Sequence, residues 1–440
     1  MKHTDKALRF IQEIKWPYLP SEVKQQSKRC LMDSLGAMLS GMRTPVAGIM
    51  QRIATTQLKG NEATVVVSGV KVSAAGAALV NGFAGNALDI DDGYRLVKGH
   101  PGSCILPVIL SASEIASGCT GKHFLEAMIV GYEIAIRAGL IRHTLYETYH
   151  SSGSWGAIGG AAAAGKILNF NEETLIHALG VAEYHAPIAP MMKGITTPSM
   201  GKDSIGWGSF VAMMSALMAR EGFTGIQPIF DDTPNSFLIE GLGEQYRVMD
   251  LYFKPYAGCR WAQPAIEGVL RVTQRSGVSP NDIDRIRVFT FSEAAALNLG
   301  YPKNTEEAQY SMSFPIAAAL VDGEVGPDQV LEPRIFDEDI KNMMGRIEVV
   351  VEDRFQKEFP ERALVEVSII TKDGKILNSG IVSARWEPDS DAPTDDELEK
   401  KFFWLVKPVL GEGKTERLVK MIWQFDSITD LKDFMPYCIQ

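Results

Sequence analysis

Over most of the first 240 positions, apolar side chains recur every three or four residues. In residues 22–42, Val23, Cys30, Leu31, Leu35 and Met38 share a helix-compatible spacing. The same pattern predicts helices over 73–87, 104–117, 124–141, 155–168 and 204–221. Within 155–168, the run from Gly159 to Gly165 is built only of glycine and alanine. Such a run suits helices that approach closely, although each interior glycine costs about 1 kcal/mol against alanine. After Tyr252 the period shortens. Alternating β-rich runs at 285–291, 346–351 and 364–370 predict strands, the last followed by the turn-forming Lys372-Asp373-Gly374. Helical stretches at 263–273 and 308–321 lie among them. From Thr394 the helical period returns over 395–406, 414–423 and 428–435, opened by a capping box of Thr394 with Glu397. The pattern predicts a mainly α protein with an α+β part. Its first helical portion covers 1–250, a smaller α/β lid is inserted over 251–388, and the C-terminal helices of 389–440 pack back onto the first portion.

Composition narrows the reading. Across 440 residues, 45% are hydrophobic and 22% charged, as in an ordinary folded chain. The net charge of −10 argues against nucleic acid as the main partner, because that binding rests on basic patches. No apolar stretch follows the charged N-terminus at signal-peptide length, and Glu133 and Arg137 interrupt the run from 127 to 140. A cytoplasmic protein with no membrane partner is therefore expected. The five cysteines are widely spaced and form no Cys-x-x-Cys pair, so neither a disulfide framework nor a structural zinc or iron–sulfur site is expected.

The chemistry-bearing residues concentrate between two apolar helices, in the segment from Asp89 to Gly102. Here three aspartates, Asp89, Asp91 and Asp92, stand with Arg95, Lys98 and His100 in one connection. If the preceding helix runs on, Asp89 and Asp92 share a face at i, i+3, and Asp91 points about 200° round from Asp89. A solvated helix end and a turn histidine before Pro101 are the bland alternative. A magnesium site of the kind helical isoprenoid enzymes build is another, since hard cations prefer oxygen ligands. The sequence offers no second acidic motif on another helix for that.

Asp-x-Asp-Asp, followed by His100-Pro101-Gly102 and the apolar run from Ser103 to Leu110, resembles the signature of the MmgE/PrpD family. The resemblance continues through Tyr149-His150-Ser151-Ser152-Gly153, residues 196–202 and residues 253–259. That family includes 2-methylcitrate dehydratase, cis-aconitate decarboxylase and iminodisuccinate epimerase. The resemblance implies a homodimer that needs no metal or organic cofactor, acting on a small polycarboxylate between helical body and lid. Carried over by motif, it places catalytic residues at Asp89, His100, His150, Lys202 and Lys254. Substrate contacts fall at Asp92, Lys98, Ser151, Thr197, Cys259 and Arg260.

Such a set suits proton removal beside a carboxylate, because the resulting enediolate needs cations placed in advance. An imidazole within hydrogen-bond reach can move the proton near neutral pH. The leading expectation is a hydro-lyase acting on 2-methylcitrate or citrate, with epimerase and decarboxylase activity as alternatives on the same scaffold. Two departures bear on this. Gln263 stands where many dehydratase-like members carry histidine, and it cannot act as a general acid. Phe314 aligns with the decarboxylases' tyrosine, which argues against a decarboxylase and leaves room for a non-catalytic member. His3, His123, His143, His177, His185 and Lys193 are assigned to structural roles.

Overall fold

The computed structural model describes residues 2–232, 238–297 and 300–440. Its body is a helical bundle whose main members are α1 (Ser21–Gly41), α2 (Ala74–Asn86), α3 (Pro101–Ile115), α4 (Gly121–Leu145), α5 (Ser152–Ile167) and α6 (Ile205–Arg220). Helix α5 is buried along its whole length and packs on α3, α4 and α6. The glycine–alanine run makes this possible. A Cβ on Gly159 would lie 2.5 Å from the Gly131 carbonyl oxygen of α4, so only hydrogen fits between the two helices.

The second part carries α7 (Gln263–Ser276), β1 (Ile283–Thr290), α8 (Ser313–Asp322), β2 (Ile347–Val351), β3 (Leu364–Thr371) and β4 (Ile376–Ser383). The strands form one sheet in the order β2-β1-β3-β4, with β1 parallel to β2 and antiparallel to β3. Helix α7 covers β3 and β4, and α8 packs on α7. The chain enters and leaves this part side by side, where the Phe253 N–H donates to the Trp386 carbonyl at 3.2 Å. Helix α9 (Asp395–Leu410) then packs on α1, and its Thr394–Glu397 capping box forms as expected.

The structure departs from the sequence pattern at several places, among them a short antiparallel strand pair, Ala63–Thr64 with Lys71–Val72, in the region read as helical. Strand β4 is additional. Its alternation is broken by Gly380 at φ +69, and Ile376 and Ile381 are exposed, so it lacks a half-buried period. The helix expected over 308–321 is broken between Gln309 and Ser313. The one expected over 428–435 is two short 3-10 turns, Leu431–Asp433 and Met435–Cys438. Finally, α2 stops at Asn86, so Asp89 and Asp92 never share a helical face. No helix among the described residues is long and apolar enough to cross a membrane.

Candidate functional site

Past the end of α2 the backbone turns sharply. The Asp89 N–H donates to the Asn86 carbonyl, and Asp89 itself sits at φ +50, a left-handed conformation uncommon for a residue with a side chain. The turn aims a buried carboxylate at Lys254, whose fully buried ammonium donates to Asp89 Oδ1 at 2.5 Å and to its carbonyl at 3.1 Å. Burial alone would raise the Asp89 pKa, but Lys254, Lys202 and His100 outweigh it and hold the carboxyl well below its usual range. Lys98 and Lys202 share the left-handed backbone, at φ +48 and +38. Backbone strain of this kind tends to gather at functional sites.

His100 opens α3. Its Nδ1 lies 2.8 Å from the Asp92 carbonyl, which fixes that nitrogen as the donor and leaves Nε2 facing Asp89 Oδ1 at 3.4 Å. Its backbone N–H donates to Ser152 Oγ at 3.0 Å. Ser152 Oγ in turn lies 3.3 Å from Asp203 Oδ1, and the Tyr310 hydroxyl lies 3.0 Å from Asp203 Oδ2. Burial is the main force on Asp203. With Asp89 nearby it raises this carboxyl, against the opposing pull of His100 and Lys202. Asp89 and Asp203 are thus two carboxyls in one site whose surroundings drive their pKa values apart, the pattern that separates base from acid.

Asp89, His100, Asp203 and Tyr310 line one cleft. Arg95, Lys98 and Arg260 supply positive charge along it, and Met191, Ile195, Trp261, Phe359, Pro360 and Ala363 supply an apolar wall. Arg260 is partly committed. It donates to Glu387 Oε1 and the Arg385 carbonyl, each at 2.7 Å, and lies over the Tyr252 ring. Cys259 also lines the cleft, but burial pushes its thiol up to about 12, so it is not a nucleophile at neutral pH.

Several residues expected at the site lie elsewhere. His150 is buried away from the cleft, with neither ring nitrogen hydrogen-bonded, against the edge of Tyr146. Burial first, and Arg142 second, hold its pKa down. The cause is local: residue 150 forms an extended bridge with Pro190, and neighbours in extended chain point to opposite sides, so Tyr149 takes the cleft. The same alternation leaves the Ser151 hydroxyl unpartnered while Ser152 joins the network. Thr197 is exposed and lines no part of the cleft. Lys202 stands behind the wall, donating to the Asn86 carbonyl at 2.6 Å and to Gln309 Oε1 at 2.7 Å.

Asp92 also faces away from the cleft. Its carboxyl takes the Gly102 N–H at 3.1 Å and the Tyr132 hydroxyl at 2.5 Å. A Cβ on Gly102 would come within 2.8 Å of Asp92 Oδ2 and 2.4 Å of the Tyr132 oxygen, which explains the glycine of His-Pro-Gly. Burial and the neighbouring Asp33 push Asp92 well up. A neutral carboxyl in this place is nearly isosteric with an amide. Asp92→Asn is expected to keep kcat within about tenfold, the worth of one neutral hydrogen bond. A hundredfold loss in steady-state assays would return Asp92 to the chemistry.

The two departures that weakened particular readings prove structural. Gln263 donates to the Tyr256 and Gly258 carbonyls and accepts from Arg260, so it fastens the loop after Lys254. Phe314 is fully buried outside the cleft, whereas Tyr310, in the break between helices, lines it with Tyr149 and Tyr252.

Among the described residues, Asp89, Asp91 and His100 bring ligand atoms within 4.8 Å of one another, close enough to share an ion. The Lys254 ammonium already lies on the Asp89 oxygen that His100 faces. Asp91 accepts from Asn86 Nδ2 at 3.0 Å and Ser103 Oγ at 2.6 Å. A metal would have to displace these partners.

The MmgE/PrpD N-terminal domain matches residues 6–239, and the MmgE/PrpD C-terminal domain matches residues 256–427. A cis-aconitate decarboxylase-like protein of Aspergillus oryzae is 24% identical, covering 97% of this chain and 95% of its own. Human cis-aconitate decarboxylase is 25% identical, with 96% and 91% covered. The Aspergillus terreus enzyme is 22% identical, with 94% and 91% covered.

Proposed function

The chain belongs to the MmgE/PrpD family, and from that premise we propose that it is a lyase of the cis-aconitate decarboxylase kind, working without an organic cofactor on a small unsaturated tricarboxylate. The observation that carries this reading is the pairing of two unlike carboxyls in one cleft. Asp89 is fixed as an anion by Lys254, while Asp203 is buried against the Tyr310 hydroxyl. The relatives' activity and the presence of Tyr310 favour loss of carbon dioxide over loss of water, the reaction expected for 2-methylcitrate or citrate.

The residues suit each step. Arg95, Lys98 and Arg260 hold the carboxylates that the product keeps. The departing carboxylate lies against the apolar wall of Trp261, Phe359 and Pro360, where loss of hydration favours spreading its charge. Its C–C bond breaks, carbon dioxide leaves, and the electron pair moves through the adjacent double bond onto the carbon beside a second carboxylate. A proton from Tyr310 or His100 then adds to that carbon. The trianion plus one proton gives a dianion plus carbon dioxide. The lysine and arginines stabilise the intermediate charge in place. The inserted part over 251–388 supplies Trp261, Tyr310 and Phe359 and acts as the lid.

The test is proton NMR of cis-aconitate with purified protein in deuterium oxide. Carbon dioxide release and one deuterium in the unsaturated diacid are expected. An inert cis-aconitate, with water lost from a hydroxy acid, would make the enzyme a hydro-lyase instead. Exchange without net conversion would make it an epimerase.

A second copy of the chain is the proposed partner. Exposed Tyr146, Tyr184, Ile188, Met192 and Trp207 lie on three segments that are tied together by the His150–Pro190 bridge and the Gly153–Asp203 hydrogen bond. Exposed apolar side chains grouped in this way mark association surfaces. Light scattering is expected to give twice the 48.3 kDa chain mass. A monomer mass would rule the homodimer out.

A further inference from the structure

The loop that carries Asp89 is held from behind by a residue no part of the chemistry uses. Lys401, on helix α9, is buried. Its ammonium donates to Asp33 Oδ1 on α1 at 2.5 Å and to the carbonyl of Ile90 at 2.7 Å. Ile90 is the residue between Asp89, with its left-handed backbone, and Asp91, which faces His100 Nδ1 at 3.4 Å. Asp33 holds the Lys401 ammonium from α1 and stands close enough to Asp92 that its charge adds to burial in raising that carboxyl. One buried cation, braced by a buried carboxylate, thus holds the turn at Ile90.

We propose that Lys401 is a positioning residue: by holding the Ile90 carbonyl, it keeps the Asp89–Asp92 turn in the conformation that aims Asp89 at Lys254 and His100. The inference rests on the lyase reading for its kinetic consequence, but its structural part stands without it. A left-handed residue persists only when its surroundings over-determine it. The Ile90 carbonyl, 311 residues away in sequence from Lys401, is one of the anchors that does so. The C-terminal helices therefore do more than cover α1. They fasten the working turn from the side opposite the cleft.

Removing Lys401 alone would strand Asp33 as a buried charge and could unfold the chain, so the decisive variant is the double replacement Lys401→Met with Asp33→Asn. Exchanging a buried ion pair for neutral groups of similar volume is often tolerated. The double variant is expected to melt close to the wild type, with kcat lowered about 100-fold, as for a displacement of about 1 Å, and KM changed little. Hydrogen exchange at the amides of residues 89–92 should be faster in it than in the wild type, with exchange in α5 unchanged. Lys401→Arg, which keeps a donor for both partners, should recover much of the lost rate.

Wild-type kcat and wild-type exchange in the double variant would overturn the proposal and reduce Lys401 to a counter-ion for Asp33. If the wild type itself leaves cis-aconitate unchanged, the lyase reading fails on its own. The exchange rates of residues 89–92 then decide the positioning role.

Discussion

Lys254→Met is expected to lower kcat by about 1000-fold or more, because it removes the buried cation that keeps Asp89 ionised and in its working position. The same change should destabilise the fold by about 3–5 kcal/mol at neutral pH, since it leaves a carboxylate buried without its partner. The pH dependence follows from the direction of the Asp89 shift. Its folded-state pKa is depressed, so the pair's contribution is complete above the ordinary carboxylate pKa of about 4 and is lost as pH falls from there toward the folded value. The stability gap between wild type and Lys254→Met should thus be widest near pH 7 and close in acid. Urea melts across that range measure it. Adding Asp89→Asn to Lys254→Met should recover stability by removing the stranded charge, yet recover no activity. A Lys254→Met enzyme within tenfold of wild-type kcat would show that the buried pair is only a structural tie.

Much of this site was legible from the chain alone, and what was not has identifiable causes. The segment from Asp89 to His100 stood out because charges cluster there between apolar helices, and the lysine at 254 stood out by motif. Periodicity located α1 to α7 within a few residues, because each buries a continuous stripe or, in α5, its whole surface. Reading failed where side-chain direction depends on a backbone turn rather than a period. The left-handed residue at 89 ends helical geometry, so the i, i+3 face of Asp89 and Asp92 does not exist. The extended bridge at 150 exchanged Tyr149 for His150 and Ser152 for Ser151. Arg260 could be read as a cation but not as one shared with Glu387, a partner 127 positions along the chain. Asp203 and Tyr310 were missed because one follows a lysine that drew attention and the other lay in an apparently continuous helix. A short break in such a run, beside polar Thr305, Glu306 and Gln309, is the signal that could have found Tyr310.

Tyr310→Phe and Asp203→Asn should separate the acid side of the site from the anion side. The phenylalanine keeps the ring under Lys202 but removes the hydroxyl beside Asp203, so kcat should fall about 100- to 1000-fold, the range for a lost general acid. Asp203→Asn should cost a comparable factor and also change the pH profile. Burial raises the Asp203 pKa, so its protonated form persists above the ordinary carboxylate range and is lost as pH rises through the folded value. The wild-type rate should therefore decline on that side, and the decline should be absent or displaced in Asp203→Asn. Stability must move the other way. A carboxyl with a raised folded pKa favours the fold only while protonated, and that advantage disappears with rising pH. Asp203→Asn should then melt at or above the wild-type temperature near pH 8, even as its activity falls. Lower rate with equal or higher stability marks a group kept for chemistry at the expense of the fold. Parallel loss of both would instead make Asp203 a packing residue and leave proton delivery to His100.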